Sequence, residues 1–232
     1  MTHVVVTGIA RADAATVDAL AAFGSATVHE ALGRIGYAGP RIRPIQRGAA
    51  ISGSAITVLT APGDNLMVHA AIEQAQAGDV IVVVPVTESP YGVIGELMAT
   101  QMQTRGVRAY VTSAGVRDSA ELRAMGFPVW TAHVSAEGTV KASAGSVNVP
   151  VVLEGVVVEP GDVVVADDDG VTIVPRRRAE EALTAARARA GREAASRERY
   201  RAGEISMDVN GLRPVLDELG VVYVSQQEWD AR

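Results

Sequence analysis

Residues 79–86 read Asp79-Val-Ile-Val-Val-Val-Pro-Val86, and the chain continues through Gly95-Glu-Leu-Met-Ala-Thr100 to Ser113-Ala-Gly-Val-Arg-Asp118. The first run is apolar without alternation, as a strand buried on both faces requires. Residues 96–105 are expected to form a helix ended by Gly106, and residues 108–112 a second short strand. This strand-helix-strand-helix order predicts an α/β fold. Its ligand crevice should lie at the carboxyl ends of the strands, where helix-start N–H groups favour an anion. Glu96 and the Arg117-Asp118 pair both fall where a strand passes into a helix. An acid, a base and a cation would therefore converge at one cleft.

Working outward, residues 14–23 and 25–33 read as two helices, the second capped by Ser25 or Thr27. Residues 49–59 alternate as a strand, and Asp64-Asn65 is placed to cap a helix that runs to Ala77 and stops at Gly78. Strand-like segments at 129–132, 149–153, 155–158, 163–166 and 171–174 predict a β-rich second half. A helix over 178–201 and a tail over 202–224 complete the reading, with no internal repeat.

A chain of 232 residues that is 48% hydrophobic buries a sizeable core, so one domain with appendages is expected, needing neither metal nor disulfide to fold. The longest apolar runs are strand length and residues 1–11 lack the pattern of a signal peptide, so the expected location is the cytoplasm. With no cysteine, thiol chemistry is excluded. The net charge of −6 argues against a general nucleic-acid surface, and Arg176-Arg177-Arg178 leads into an Ala, Arg and Glu rich segment that suits a solvated helix. Lys141 is the only lysine, so a Schiff-base mechanism would have to use it. Its setting, Glu137-Gly-Thr-Val-Lys-Ala-Ser-Ala-Gly145, reads as an exposed hairpin, whereas a catalytic amine is usually desolvated.

Several candidates carry two readings. Asp118-Ser-Ala-Glu121 has the spacing of a capping box, a structural role that competes with metal ligation. Arg117 suits a surface ion pair as well as a substrate contact, and Glu96 suits the helix dipole as well as catalysis. Asp167-Asp-Asp-Gly170 lacks the later ligands of a calcium loop and reads as a hairpin turn. His29, His69 and His133 have no zinc-type spacing, Arg41, Arg43 and Arg47 suit either an anion patch or a solvent face, and Gly92-Val-Ile-Gly95 is too short to mark a nucleotide site.

Further stretches are Ala26-Thr-Val-His-Glu-Ala-Leu-Gly-Arg34, Gln76-Ala-Gly-Asp79, Ala114-Gly-Val-Arg-Asp118, Gly145-Ser-Val-Asn-Val-Pro-Val151 and Val165-Ala-Asp-Asp-Asp-Gly-Val171. Through these residues nearly the whole chain resembles the RraA-like class II pyruvate aldolases, those acting on 4-hydroxy-4-methyl-2-oxoglutarate and 4-carboxy-4-hydroxy-2-oxoadipate. The end of the chain, Ala202-Gly-Glu204 onward, resembles a tail that shorter regulatory members lack. An acidic residue, twenty intervening residues and Arg-Asp form the family pattern, which falls on Glu96, Arg117 and Asp118. Close relatives carry Asp where Glu96 stands and often at Ser113, and residues 87–94 diverge.

The resemblance implies a layered α-β-β-α sandwich of RraA-like type with a C-terminal helical tail. It implies a catalytic domain over residues 1–201 and a tail over 202–232 that packs on a neighbouring subunit, in trimers or hexamers. Asp118 would ligate Mg²⁺ or Mn²⁺, with Glu96 and a neighbouring subunit's Glu204 reaching the metal through water. Arg117 would bind the pyruvoyl group, and the Gly95, Leu97 and Met98 segment would hold the substrate carboxylate through the amides of Leu97 and Met98. The implied reaction is retro-aldol cleavage of a 2-oxo acid to pyruvate, with oxaloacetate decarboxylation as a side activity. Two other functions compete: an RraA-like regulator that binds a ribonuclease or helicase, and a dedicated oxaloacetate decarboxylase. A methyltransferase lacks support because no glycine-rich cofactor loop follows an early strand.

Overall fold

The computed structural model describes residues 3–232. Its strands are β1 (Arg43–Pro44), β2 (Ile51–Thr60), β3 (Asp79–Pro85), β4 (Gly92–Ile94), β5 (Ala109–Val116), β6 (Val129–Val134), β7 (Ser146–Val147), β8 (Val151–Leu153), β9 (Val156–Val158), β10 (Val163–Asp167) and β11 (Gly170–Val174). The helices are α1 (Ala14–Leu20), α2 (Gly24–Ala31), α3 (Leu66–Gln74), α4 (Glu96–Thr104), α5 (Ser119–Ala124), α6 (Ala179–Arg201), α7 (Ser206–Val209), α8 (Arg213–Glu218) and α9 (Gln226–Asp230).

The main sheet runs β1-β6-β5-β3-β2-β10-β11, with β4 added beside β5 and β7 beside β2. Strands β2, β3, β5 and β6 are parallel, with Ile56 opposite Ile81, Ile81 opposite Tyr110 and Tyr110 opposite Val129. Helices α3, α4 and α5 are the crossovers between them, as parallel neighbours demand. The run at 79–86 is apolar throughout because β3 feeds two cores. Ile81 and Val83 pack with Val68 and Ile72 of α3, Ala99 and Met102 of α4 and Leu122 of α5. Val80, Val82 and Val84 face the other way, onto Trp130 of β6, Val151 and Leu153 of β8, and Val164 and Ile173 of β10 and β11. A third cluster joins Val17, Leu20 and Val28 of the first two helices to Val163 and Val165 and to Ala182, Leu183 and Ala186 of α6.

The inner core closes the sheet on itself. In a flat sheet β6 and β10, four steps apart, would be separated by roughly 19 Å. Yet the Trp130 indole N–H donates to the Asp167 carbonyl at 2.7 Å, and the Arg43 guanidinium reaches the Asp169 carbonyl at 3.2 Å. The strands therefore curl until the sheet is nearly closed, which gives the layered α-β-β-α arrangement expected above. The crevice keeps its place at the carboxyl ends of β4 and β5, because curling does not change which end the crossover helices start from.

Local expectations were met unevenly. Asp168 and Asp169 form the two-residue turn between β10 and β11, as the Asp-Gly signal predicts. Helix α2 is not capped by Ser25 or Thr27 acting locally. Asp167, 142 residues away, accepts the Ser25 amide at 2.7 Å and the Ser25 hydroxyl at 2.6 Å, so the cap is tertiary. Helix α3 ends at Gln74 rather than Ala77, since Ala75 turns extended. Strands β4 and β7 were not anticipated, being too short to show a pattern.

The chain divides into two compact units, Met1–Arg187 and Ala188–Arg232, with the boundary inside α6. The second unit holds the end of α6 and three short helices, tied by Arg199 to Glu204, Arg213 to Asp208 and a Ser225–Glu228 capping box. Its Leu219, Val222, Tyr223 and Trp229 are exposed. Among the described residues no helix is long and apolar enough to cross a membrane. Replacing the long-range cap, Asp167→Ala, is expected to destabilise the fold by about 2 kcal/mol in chemical denaturation, while Asp169→Ala, an exposed turn substitution, stays within about 0.5 kcal/mol.

Candidate functional site

The site is built where β4 meets α4 and β5 meets α5. Gly95, the residue before α4, has extended backbone, so its conformation does not require glycine; its surroundings do. A Cβ on Gly95 would overlap Asp118 Oδ2 and lie 3.1 Å from Arg117 Cγ, and one on Gly92 would lie 3.0 Å from Arg117 Cβ. These glycines let the 92–95 backbone press against the Arg117-Asp118 pair. The Arg117 amide in turn donates to the Ile94 carbonyl at 2.9 Å.

Asp118 does not cap its own helix. It sits in the left-handed region at φ 52° and ψ 41° with no side-chain cap bond, a conformation that costs roughly 1 kcal/mol or more outside glycine. Its Oδ2 accepts the Glu96 amide at 3.1 Å across the cleft, and Arg117 Nε stands 3.8 Å from the same oxygen. The capping box that the spacing suggests is thus replaced by a contact that turns the carboxylate toward the start of α4. The first amides of any helix lack intrahelical partners. That of Glu96 is taken by Asp118, and those of Leu97 and Met98 remain to receive an anion.

These groups line a cleft of about 260 Å³ together with Asn65 and His69 on α3 and its cap, and with Lys141. The segment around Lys141 is not a hairpin. Val140 bridges to Asp64, its amide donates to Gly63 at 2.9 Å, and the Asn65 amide donates to Val140 at 3.0 Å. The chain's only lysine therefore forms a wall of the same cleft as Arg117. Asn65, 6% exposed, donates through Nδ2 to the Val93 carbonyl at 3.0 Å, but its Oδ1 is buried with no partner. The Nε2 of His69 is buried without a partner as well. Burial, and secondarily the charge of Lys141, lower the His69 pKa below its ordinary 6.5, so the ring is neutral at pH 7. The sequence singled out Asn65 only as a cap and His69 as a lone histidine. The one signal pointing here was that Lys141 has no other lysine to share its role.

Other expected residues lie elsewhere. The Glu96 carboxylate accepts the Thr100 hydroxyl at 3.2 Å on the side of α4, next to the cleft lining rather than in it. Glu204 belongs to the second unit, where it pairs with Arg199 at 2.6 Å, and that contact lowers its pKa. Ser113 lines a separate concavity with Arg41, Glu88 and Glu154, not the cleft of Arg117. In the second unit a concavity of about 510 Å³ lies on the arginine-rich face of α6, lined by Arg189, Arg192, Arg197 and Tyr200 and by none of the groups just described.

The donor set around Asp118 suits a hard divalent cation. Among the described residues no three His, Cys, Asp or Glu side chains gather into a metal cage. The Asp118 side chain is 40% exposed, and only its Oδ2 is engaged by the protein. One carboxylate with an open hemisphere fits Mg²⁺ or Mn²⁺, which keep several waters and take further oxygens from substrate.

Two outcomes test this geometry. Gly95→Ala should leave the melting temperature within a few degrees yet weaken Mn²⁺ binding, read by electron paramagnetic resonance, at least tenfold, since its methyl overlaps the Asp118 carboxylate. The His69 imidazole should titrate below 6.5 by NMR and move upward in Lys141→Gln. As an unfolded histidine binds protons more readily than this one, the ring's contribution to stability is full above pH 6.5 and is lost as pH falls toward the folded pKa.

Comparison with known proteins gives the family. The model of the RraA-like family, aldolase/RraA, matches residues 25–173. A protein of Halalkalibacterium halodurans named "Putative 4-hydroxy-4-methyl-2-oxoglutarate aldolase" is 32% identical over 77% of this chain and 82% of its own length. One of Burkholderia multivorans with the same name is 34% identical over 58% of this chain and 81% of its own. Among solved structures, Streptomyces coelicolor RraAS2, described as an unusual member of the RNase ES inhibitor RraA family, superposes with a TM-score of 0.73 at 29% identity, covering 82% of this chain and 100% of that one. With its curled sheet and its Arg117-Asp118 cleft, the chain belongs to the RraA-like aldolase/RraA family.

Proposed function

We propose that this chain is a divalent-metal-dependent lyase that cleaves 4-hydroxy-4-methyl-2-oxoglutarate or 4-carboxy-4-hydroxy-2-oxoadipate to pyruvate and a second 2-oxo acid. The observation that carries the reading is the turning of the Asp118 carboxylate away from its own helix and into a cleft shared with Arg117 and the open amides of α4. A capping aspartate would do neither.

The substrate carboxylate is held by the Leu97 and Met98 amides, with the start of α4 favouring the negative charge. Arg117 presents its planar fork to the 2-oxo group. Asp118 would hold Mg²⁺ or Mn²⁺, which would supply Lewis-acid charge stabilisation there. The proton of the C4 hydroxyl leaves through water toward Glu96 and, from a second copy, Glu204. As the C3–C4 bond breaks, its electron pair passes into the pyruvate enolate and C4 becomes the carbonyl of the other product. Arg117 stabilises that enolate by preorganised charge, and a proton added at C3 completes pyruvate. Oxaloacetate reaches the same enolate by losing CO₂. The opposite wall, Asn65, His69 and Lys141, supplies polar and positive groups that suit the remaining carboxylates of such a substrate. The exposed apolar residues of the tail support its packing on a second copy, with trimers or hexamers as the assembly.

EDTA treatment should abolish pyruvate release from these substrates, and Mg²⁺ or Mn²⁺ should restore it; full turnover after rigorous chelation refutes the metal-dependent reading. Arg117→Lys keeps the charge but loses the fork, so kcat should fall by about 10² or more. Mixing Glu204→Ala with Asp118→Ala subunits should recover part of the activity when sites are shared between copies, and no recovery in verified mixed oligomers removes Glu204 from the site. The likeness to RraAS2 favours a second reading, a regulator that binds a ribonuclease. Tight ribonuclease binding without lyase activity on any of these acids would establish it instead.

A further inference from the structure

Asp64 is a buried carboxylate next to the cleft whose bonds join the start of α3 to the segment that carries Lys141. It is 1% exposed, and no part of the mechanism above uses it. Its Oδ1 accepts the Leu66 amide at 2.8 Å at the start of α3, while its Oδ2 accepts the amides of Ala142 and Ser143, each at 2.7 Å. Its own carbonyl accepts the buried Thr60 hydroxyl at 2.9 Å, fixing it to the end of β2. A carboxylate is suited to this task because both oxygens accept and neither must donate. Asparagine, with one acceptor and an NH₂ group, can serve Leu66 or the Ala142-Ser143 pair but not both. Residues 141–145 have no regular secondary structure, so Lys141 is held over the cleft from two sides, by the Val140 bridge to residues 63–65 before it and by the Asp64 bonds to Ala142 and Ser143 after it.

We propose that Asp64 is a positioning residue for the substrate-binding wall, clamping the Lys141 segment onto the start of α3 so that Lys141, Asn65 and His69 face the Arg117-Asp118 side at a fixed separation. This assignment rests on the proposed lyase reading for its catalytic consequence, but the clamp itself is independent of it. A wall held by three charge-assisted bonds to backbone amides would act on the binding of the distal part of the substrate rather than on bond cleavage.

The test uses the full chain with Mg²⁺ and compares wild type, Asp64→Asn, Lys141→Ala and the double variant. Hydrogen exchange followed by mass spectrometry should show the amides of the 140–144 segment exchanging at least tenfold faster in Asp64→Asn, with the β3 and β5 amides unchanged as proof that the fold persists. On 4-hydroxy-4-methyl-2-oxoglutarate, Asp64→Asn should raise KM roughly tenfold or more with a smaller change in kcat. The KM increase should largely disappear when Lys141 is already alanine, because a clamp acting through Lys141 has nothing left to position. Unchanged exchange at 140–144, or fully additive KM effects, overturns the proposal. If wild type shows no lyase activity, the functional reading falls and the exchange result alone decides the clamp. Should Asp64→Asn not fold, Asp64→Ser, which keeps one short acceptor, is read by the same exchange pattern.

Discussion

The approach of the Gly95 backbone to the Asp118 carboxylate is the constraint on which the site depends. It requires glycine at 95, because any Cβ there would occupy the space of Asp118 Oδ2. It requires Asp118 to adopt a left-handed backbone, because only that conformation turns the side chain away from α5 and across to the Glu96 amide. And it requires β4, a three-residue strand, to lie beside β5 so that Ile94 can receive the Arg117 amide. Each local departure from the most stable arrangement is held by the others, the pattern expected where strain is kept for function rather than for folding.

This explains why the spacing around Asp118 pointed the wrong way. A capping box is recognised from Asp118 and Glu121 alone, and those two residues are present. What decides between cap and cleft is the absence of a side chain 23 positions earlier, at Gly95. No local window contains both. The cap of α2 failed the same way: Ser25 has the right chemistry, but its partner Asp167 arrives through the curl of the sheet. In contrast, the parallel core strands were legible, since β3 serves two apolar cores and has no polar position to obscure it.

The candidate site divides along the same line. Glu96, Arg117 and Asp118 were visible because they lie at strand-to-helix junctions of one continuous unit. Asn65, His69 and Lys141 were not, because they come from α3 and from an irregular segment more than seventy residues later, joined only by Asp64 and by bonds between 63–65 and 140. Lys141 is exposed as expected, but the hairpin around it was misread for a definite reason. Its neighbours Gly138 and Gly145 suggest a solvent turn, whereas Gly145 serves close approach, since a Cβ there would overlap the Leu59 carbonyl.

The two walls of the cleft differ in how their charge is held, and the difference bears on the chemistry. The Arg117 side chain is 49% exposed, so water screens its guanidinium until substrate enters. On the other wall, burial keeps His69 neutral next to the charge of Lys141. A second cation there would repel Lys141 and over-bind a polyanionic substrate in its ground state; a neutral ring with an unpartnered nitrogen can instead donate or accept one hydrogen bond. Each wall therefore carries one cation, Arg117 on one and Lys141 on the other, with the neutral His69 ring beside Lys141. Under the proposed lyase reading, limiting the distal wall to a single cation favours charge stabilisation in the transition state over tight holding of the ground state.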